Sequence, residues 1–212
     1  MTNRFAQRTR LITAAAAAVA GLGMLALQAP QAANGADAPL RPDGPALQRL
    51  HGVYASADAE SWGGAYGTRE FSFDRGRWTL RFTLALDPKM QQPVFEFRTH
   101  GRYTVQAASK AVPGAFEALF TEDAKYVTLK TTDAKLAAAF GLAGCGLSPG
   151  VERDISVTGC ANWKPVAQCA EDHDLLALDT RGGLYFGVRP RDNDMCTADK
   201  RPTALLPAVW RR

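Results

Sequence analysis

Two segments of the chain alternate between mainly apolar and mainly polar side chains. In GRWTLRFTLALD, residues 76–87, every second residue is large and apolar: Trp78, Leu80, Phe82, Leu84 and Leu86. In VFEFRTHGRYTV, residues 94–105, one face carries Phe95, Phe97, Thr99, Gly101, Tyr103 and Val105. A period of two residues is typical of a β-strand that buries one face. Both segments are long for strands of a small domain.

Shorter apolar segments predict further strands. They lie at residues 50–56, 116–121, 126–130, 154–158, 174–179 and 184–188. The tripeptide DRG at 74–76 predicts a tight hairpin before the strand that contains Trp78. Only residues 133–143 have a helical pattern, with Thr132 or Asp133 as the N-cap and Gly144 as the stop.

Antiparallel strands with one short helix predict a mainly β fold. We expect a closed or half-closed antiparallel β-barrel, lipocalin-like in character, because closure removes the exposed edges of long strands. The interior of such a barrel is either packed with side chains or left open as a cavity for an apolar ligand. Periodicity does not separate these two alternatives.

The N-terminal segment has the pattern of a secretory signal peptide. Arg4, Arg8 and Arg10 precede an uncharged apolar run at residues 11–27, and small residues follow it. We therefore predict a signal peptide and spacer at 1–38 and a periplasmic or secreted protein with no transmembrane segment after cleavage. The alternative is a retained anchor, although the run is at the lower length limit for a membrane span.

The rest of the chain is predicted to hold one domain. Residues 39–46 are Pro-rich and predict a linker, and residues 47–212 predict a single barrel domain. Loss of residues 1–38 removes three arginines and one aspartate, so the net charge falls from +4 to +2. No cluster of Lys and Arg is present to follow a phosphate backbone, which argues against nucleic acid as a partner.

All four cysteines, Cys145, Cys160, Cys169 and Cys196, lie in the last third of the chain. An even number of cysteines in an exported chain predicts two disulfides. Zinc is the alternative, but the spacings contain no C-x-x-C and the histidines are scattered, at His51, His100 and His173. We predict neither a metal site nor a cofactor.

Polar residues give no clear catalytic pattern. In EDHDL, residues 171–175, the carboxylates of Asp172 and Asp174 would face away from His173 on a strand, and we interpret the segment as an exposed acidic turn. No G-x-S-x-G motif is present, so we predict a protein that is not an enzyme. Gly63 and Gly64 predict a mobile loop, on which Trp62 either guards a cavity mouth or caps the core.

A series of short motifs resembles the adenomatosis polyposis coli down-regulated (APCDD) domain family, over about residues 48–207. The motifs are T-R-x-F-x-F at 68–73, Trp78, Asp87-Pro88, Pro93, Gly101-Arg102-Tyr103, Cys145-Gly146, Gly159-Cys160, Gly187-x-Arg189-Pro190 and Arg201-Pro202-Thr203. The resemblance implies an antiparallel β-barrel with an apolar, lipid-binding interior. Animal members carry two such domains and inhibit Wnt signalling, a role that does not transfer to this chain.

The resemblance also implies how the cysteines pair. Cys145 and Cys160 match family cysteines, which leaves Cys169 and Cys196, additions in this chain, to pair with each other.

The leading hypothesis is an exported barrel that binds a hydrophobic small molecule or lipid in its interior. The predicted lining residues are Phe71, Phe73, Trp78, Phe82, Phe95, Phe97 and Tyr103. The alternative is a packed barrel that acts as a protein–protein interaction module, for which the partner is unknown and the sign would be exposed aromatics such as Trp62 and Trp163 gathered on one rim.

Overall fold

The computed structural model describes residues 38–212, so the predicted signal peptide lies outside the described residues apart from Ala38. The strands are β1 (Leu40–Arg41), β2 (Gly52–Ser56), β3 (Glu60–Trp62), β4 (Ala65–Asp74), β5 (Arg77–Ala85), β6 (Pro93–Ala108), β7 (Phe116–Thr121), β8 (Ala124–Leu129), β9 (Glu152–Asp154), β10 (Glu171–Asp179), β11 (Leu184–Phe186) and β12 (Val209–Arg211). The helices are α1 (Gly44–Gln48) and α2 (Ala134–Ala139). Within the described range, the fold is therefore mainly β with two short α-helices.

Eight of the strands close into an antiparallel barrel, which confirms the predicted fold class. Around the barrel the order is β2, β4, β5, β6, β7, β10, β11 and β12, and β12 pairs back onto β2. As the alternation predicts, Trp78 and Leu84 of β5 are buried inside while Arg77 and Arg81 are exposed outside. Leu86 lies just beyond the end of β5 and is exposed.

The long strand β6 divides the barrel wall. Its second half pairs with β7, whereas its first half pairs with β8, which in turn carries β9. Gly101 stands at the branch point, and a Cβ atom added there would lie 1.9 Å from the carbonyl oxygen of Thr121. Only glycine fits at this position, and Glu122 follows directly in the split between β7 and β8.

Aromatic side chains fill the end of the barrel that α1 covers. The hydroxyl of Tyr103 accepts a hydrogen bond from the Leu50 N–H at 3.0 Å and lies 3.1 Å from the Leu47 carbonyl oxygen. This contact fixes α1 and its connection to β2 against the barrel floor. The buried set at this end includes Leu47, Leu50, Tyr54, Phe71, Phe73, Trp78, Tyr103, Phe120, Leu176, Leu184 and Phe186.

The helices differ from the prediction of a single helix at 133–143. α2 begins after the predicted N-cap, Asp133, but ends at Ala139 because Gly141 takes a left-handed conformation with φ of 73°. Five residues form α1, capped by the Asp43 carboxylate. A helix this short shows no 3.6-residue period, so the pattern could not reveal it.

Two segments predicted as a linker and a mobile loop contribute a strand and a hairpin turn to the sheet. Residues 39–46, predicted as a linker, contribute β1, which pairs with β10, and the start of α1. Gly63 and Gly64, predicted as a mobile loop, form the tight turn of the β3–β4 hairpin with φ of 61° and 94°. Positive φ at both turn residues matches the twist of the paired strands.

Both disulfides pair as the resemblance implies, Cys145 with Cys160 and Cys169 with Cys196. The first joins the turn after α2 to the loop at 159–163, and the second joins the segment before β10 to the loop after β11. Among residues 38–212, no helix has the length and apolar character that a membrane crossing requires.

Candidate functional site

The end of the barrel away from α1 contains a partly open cavity of about 120 Å³. We call this space the barrel cavity. Its walls are mainly aromatic and come from β3 to β7, from β10 and β11, and from the loops at 161–163 and 187–193. The aromatic lining residues are Trp62, Phe71, Trp78, Phe82, Phe95, Phe97, Phe120, Trp163 and Phe186.

The structure brings five of the seven predicted lining residues to this cavity: Phe71, Trp78, Phe82, Phe95 and Phe97. Phe73 and Tyr103 do not line it, because they lie deeper, in the packed cluster at the α1 end. The rings of Phe73 and Tyr103 meet edge to face at 5.1 Å. Phe71 stacks on Phe186 at 3.9 Å and separates the cavity from this core.

Trp62 and Trp163, the two candidates for exposed aromatics on a rim, also line the cavity. Trp62 on β3 packs on Phe82 with ring centroids 4.8 Å apart. This contact depends on Gly67 of β4, where an added Cβ would lie 2.6 Å from the Phe82 ring. Trp163 stacks in parallel on Phe97 at 4.7 Å.

The loop that carries Trp163 is held from two sides. Cys160 and Trp163 exchange two backbone hydrogen bonds, each of 2.9 Å. Cys160 is also bound to Cys145, which follows α2. The disulfide therefore fixes the aromatic ring that covers the β6 wall of the cavity.

Charged residues line the cavity wall beside the split between β7 and β8. Among them are residues of the segment 171–175, and the interpretation of this segment as an exposed acidic turn is wrong. These residues belong to β10, and Asp172 and Asp174 are only 4% and 6% exposed. Both carboxylates line the cavity, while His173 points to the other face of the strand, as the parity argument predicts. The strand could not be recognised from the sequence, because the side chains that face inward here are acidic and the segment shows no alternation of apolar and polar residues.

Each carboxylate at this wall has a partner. Glu122 Oε2 lies 2.6 Å from Lys125 Nζ, and Asp172 Oδ2 lies 2.7 Å from Arg189 Nη1. Asp174 accepts backbone hydrogen bonds from Leu175 at 2.7 Å and from Gly187 at 2.9 Å. The wall therefore holds three carboxylates and two cations.

Burial raises the pKa of two carboxyl groups at this wall, those of Glu122 and Asp174. The pKa of Glu122 rises to about 7, first because of burial and then because of the nearby Asp172 carboxylate. Burial likewise raises the pKa of Asp174 to about 6, against the opposing effect of Arg189. A cluster with one carboxylate more than its cations retains a proton near neutral pH.

A buried ion pair forms the opposite wall. Arg69 of β4 binds Glu60 of β3 through Nε and Nη2, with Nη2 2.9 Å from Glu60 Oε1, and Nη2 also donates to the Pro207 carbonyl at 2.7 Å. Both side chains are less than a tenth exposed. Arg69 lines the cavity, and its partner could not be predicted because Glu60 lies in a short strand that alternation does not reveal.

Two of the short motifs meet beside Asp174. A Cβ added to Gly187 would lie 2.5 Å from Pro202 and 2.6 Å from Asp174 Oδ1, so the two segments touch. Arg201 Nη1 donates to the carbonyl oxygens of Ala118 and Asp174 at 2.9 and 2.6 Å. Arg201, which does not line the cavity, thus joins β7 to β10 from outside it.

The arrangement can enclose an apolar group against aromatic rings and offer it polar atoms at two walls. Within residues 38–212, no group of three or more His, Cys, Asp and Glu side chains is placed to hold a metal ion. No protein-family model matches the chain, and a search of curated proteins gives no match either. Membership of the APCDD family stays a prediction from the motifs.

Proposed function

We propose that this chain is an exported β-barrel protein of APCDD type that binds a small hydrophobic ligand in the barrel cavity. The observation that carries the proposal is the cavity itself. The α1 end of the barrel is filled by large side chains, whereas the other end leaves a space walled by aromatic rings. Concave, mostly apolar sites with a few convergent polar groups are typical of small-molecule binding.

The size of the cavity restricts the ligand. An engineered apolar cavity of about 150 Å³ in another protein binds benzene, and the barrel cavity is of similar size at about 120 Å³. It therefore accommodates one aromatic ring or a short stretch of an alkyl chain. A longer acyl chain would have to extend out of the cavity, which is partly open.

Export is supported by the two disulfides. Disulfides persist in the periplasm and outside the cell and are rare in reducing compartments. In this chain both disulfides lie close in sequence to lining residues: Cys160 precedes Trp163, and Cys196 follows Asn193. Of the two, Cys145–Cys160 is the bond that fixes the Trp163 loop.

The alternative of a packed interaction module has less support. It requires exposed aromatics on one rim, but Trp62 and Trp163 are partly buried and pack against Phe82 and Phe97. Their rings face the cavity and not a partner surface.

Native mass spectrometry and solvent extraction of the purified protein would identify a ligand that is already bound. Titration of benzene and indole, followed by ligand-observed NMR, tests the empty protein. A Leu80→Trp variant fills the cavity from its β5 wall and is expected to abolish binding. Leu86→Trp is the matched control, because Leu86 is exposed just beyond the same strand. Equal binding by both variants would contradict the proposed site.

A further inference from the structure

Two buried hydrogen-bond donors of the barrel cavity have no acceptor among the protein's own atoms. Arg69 Nη1 and Trp62 Nε1 are the only buried side-chain polar atoms without a hydrogen-bond partner within residues 38–212. Arg69 is 4% exposed, and both residues line the cavity. A buried donor without an acceptor is costly and rare in folded proteins. These two atoms therefore mark where a ligand would supply an acceptor.

Both donors belong to the β3–β4 wall. Glu60 is paired with Gly67 in the register of this hairpin, and Arg69 lies two residues further along the same face of β4. The Trp62 indole lies over Gly67, where an added Cβ would be 2.9 Å from Trp62 Cδ1. The indole and the guanidinium thus reach the cavity from the same side.

At the opposite wall the carboxylates already have hydrogen-bonding or ionic partners, so they do not require a donor from the ligand. The carboxylates of Glu122 and Asp172 are paired with Lys125 and Arg189, and Asp174 accepts two backbone hydrogen bonds. The unpaired groups of the site are therefore donors, and a ligand has to supply acceptors. A ligand that fits carries an acceptor at one end and apolar groups elsewhere.

The charges of the site favour a neutral acceptor. Arg69 is already neutralised by Glu60 at 2.9 Å, and Arg189 by Asp172 at 2.7 Å. A carboxylate on the ligand would add a buried negative charge without a cation of its own, which costs more than burying a carbonyl group. The remaining cation of the lining, Arg191, is exposed to solvent.

We propose that the ligand of the barrel cavity is an apolar molecule with a neutral carbonyl group, such as a ketone, an ester or an amide. Its carbonyl oxygen accepts hydrogen bonds from Arg69 Nη1 and Trp62 Nε1, and its apolar part lies against the rings of Phe82, Phe95 and Phe97. This inference rests on the proposed function and specifies the ligand class of the same site.

Three probes of similar shape test the inference by calorimetric titration of the purified protein. Acetophenone carries the carbonyl, α-methylstyrene replaces its oxygen with a methylene group, and benzoate carries a charged carboxylate. We expect acetophenone to bind about tenfold or more tightly than α-methylstyrene, because one hydrogen bond to a charged donor contributes on that scale. Benzoate is expected to bind more weakly than acetophenone.

Two variants assign this preference to the donors. Trp62→Phe removes one N–H, and Glu60→Gln with Arg69→Met removes the guanidinium without leaving a buried unpaired charge. Each is expected to reduce the preference for acetophenone. Trp163→Phe is the matched control, since it alters a lining ring on Phe97 and is expected to weaken both probes by the same factor. Circular dichroism checks folding, and Trp62→Phe carries the test alone if the paired variant does not fold.

The outcomes separate the inference from the proposed function. Equal affinity for acetophenone and α-methylstyrene, or a preference that neither variant reduces, would overturn the carbonyl assignment while apolar binding stands. Tightest binding of benzoate would overturn the neutral acceptor. If none of the three probes binds, the proposed function fails, and the inference fails with it.

Discussion

Glu122 Oε2 lies 2.6 Å from Lys125 Nζ at the point where the barrel wall divides into two arms. The pair is almost fully buried, and Lys125 also donates to the carbonyl oxygens of Lys164 and Cys169. The split between β7 and β8 is therefore bridged by this ion pair and by the hydrogen bonds of Lys125, and not by hydrogen bonds between neighbouring strands. This arrangement makes the stability of the fold depend on pH.

Stability is expected to fall as the pH rises from 5 to 8. The pKa of Glu122 is about 7 in the folded protein and 4.5 ordinarily, so between these values the folded state binds more protons than the unfolded chain. The contribution is fully present below pH 4.5 and is lost as the pH rises through 7. Asp174, with a pKa of about 6, acts in the same direction. Urea unfolding at a series of pH values measures the slope.

Glu122→Gln tests the origin of that slope. The neutral amide does not titrate, so we expect the free energy of unfolding of the variant to fall less between pH 4 and pH 8 than that of the parent protein, by on the order of 2 kcal/mol. Asp123→Asn is the control, because Asp123 is half-exposed and pairs with Arg77 at the surface. A variant that is destabilised equally at both pH values would contradict the assignment.

Gly101→Ala is expected to disrupt the branch of the barrel wall. The added Cβ would lie 1.9 Å from the Thr121 carbonyl oxygen, a backbone atom that cannot move without breaking the pairing of β6 with β7. We expect a loss of at least about 3 kcal/mol in the free energy of unfolding. Gly144→Ala is the control, since no atom lies within 4 Å of its added Cβ. Similar melting temperatures for the two variants would refute this role.

Arg75→Asn is expected to stabilise the β4–β5 hairpin. Arg75 holds a φ of 46° in the turn, followed by Gly76 with a φ of 76°, a turn that Asn-Gly occupies with little strain. The Arg75 side chain is 90% exposed and forms one surface ion pair. We expect a gain of about 0.5 to 1 kcal/mol by thermal unfolding. Arg77→Asn, within β5, is the control and is expected to give no gain.

The two disulfides are expected to affect stability similarly but ligand binding differently. Replacing either cysteine pair with alanine should cost about 3 kcal/mol, slightly more for Cys169–Cys196 because it closes the longer loop. Loss of Cys145–Cys160 should also weaken binding of benzene, since this bond fixes the Trp163 loop. Equal loss of affinity in both variants, measured by ligand-observed NMR, would argue against that specific role.

The sequence predicts the barrel well because its central strands alternate over long distances. The alternation in β5 and β6 directs Trp78 and Phe95 inward, and each is found there. The short strands β1, β3 and β12 could not be predicted, because two or three residues carry no period. Closure depends on β12 pairing with β2 across most of the chain, a contact that no local pattern encodes.

The aromatic half of the site could be predicted, and the polar half could not. Phe82 and Phe97 follow from strand parity alone. Asp172 and Glu60 face inward against the rule that polar residues face water, and each forms an ion pair with an arginine outside its own strand. Strand parity also places Phe73 and Tyr103 inside the barrel, but it does not show whether an inward-facing residue lies in the packed core or lines the cavity. Both lie in the packed core.

Occupancy of the barrel cavity by a small apolar ligand can be observed by crystallography. A crystal of the purified protein soaked with bromobenzene would locate the ligand by the anomalous scattering of bromine. We expect a bromine peak between the rings of Trp62, Phe82 and Phe97, and its disappearance in Leu80→Trp. An interior in which these rings fill the space, with bromine only at the surface, would contradict it.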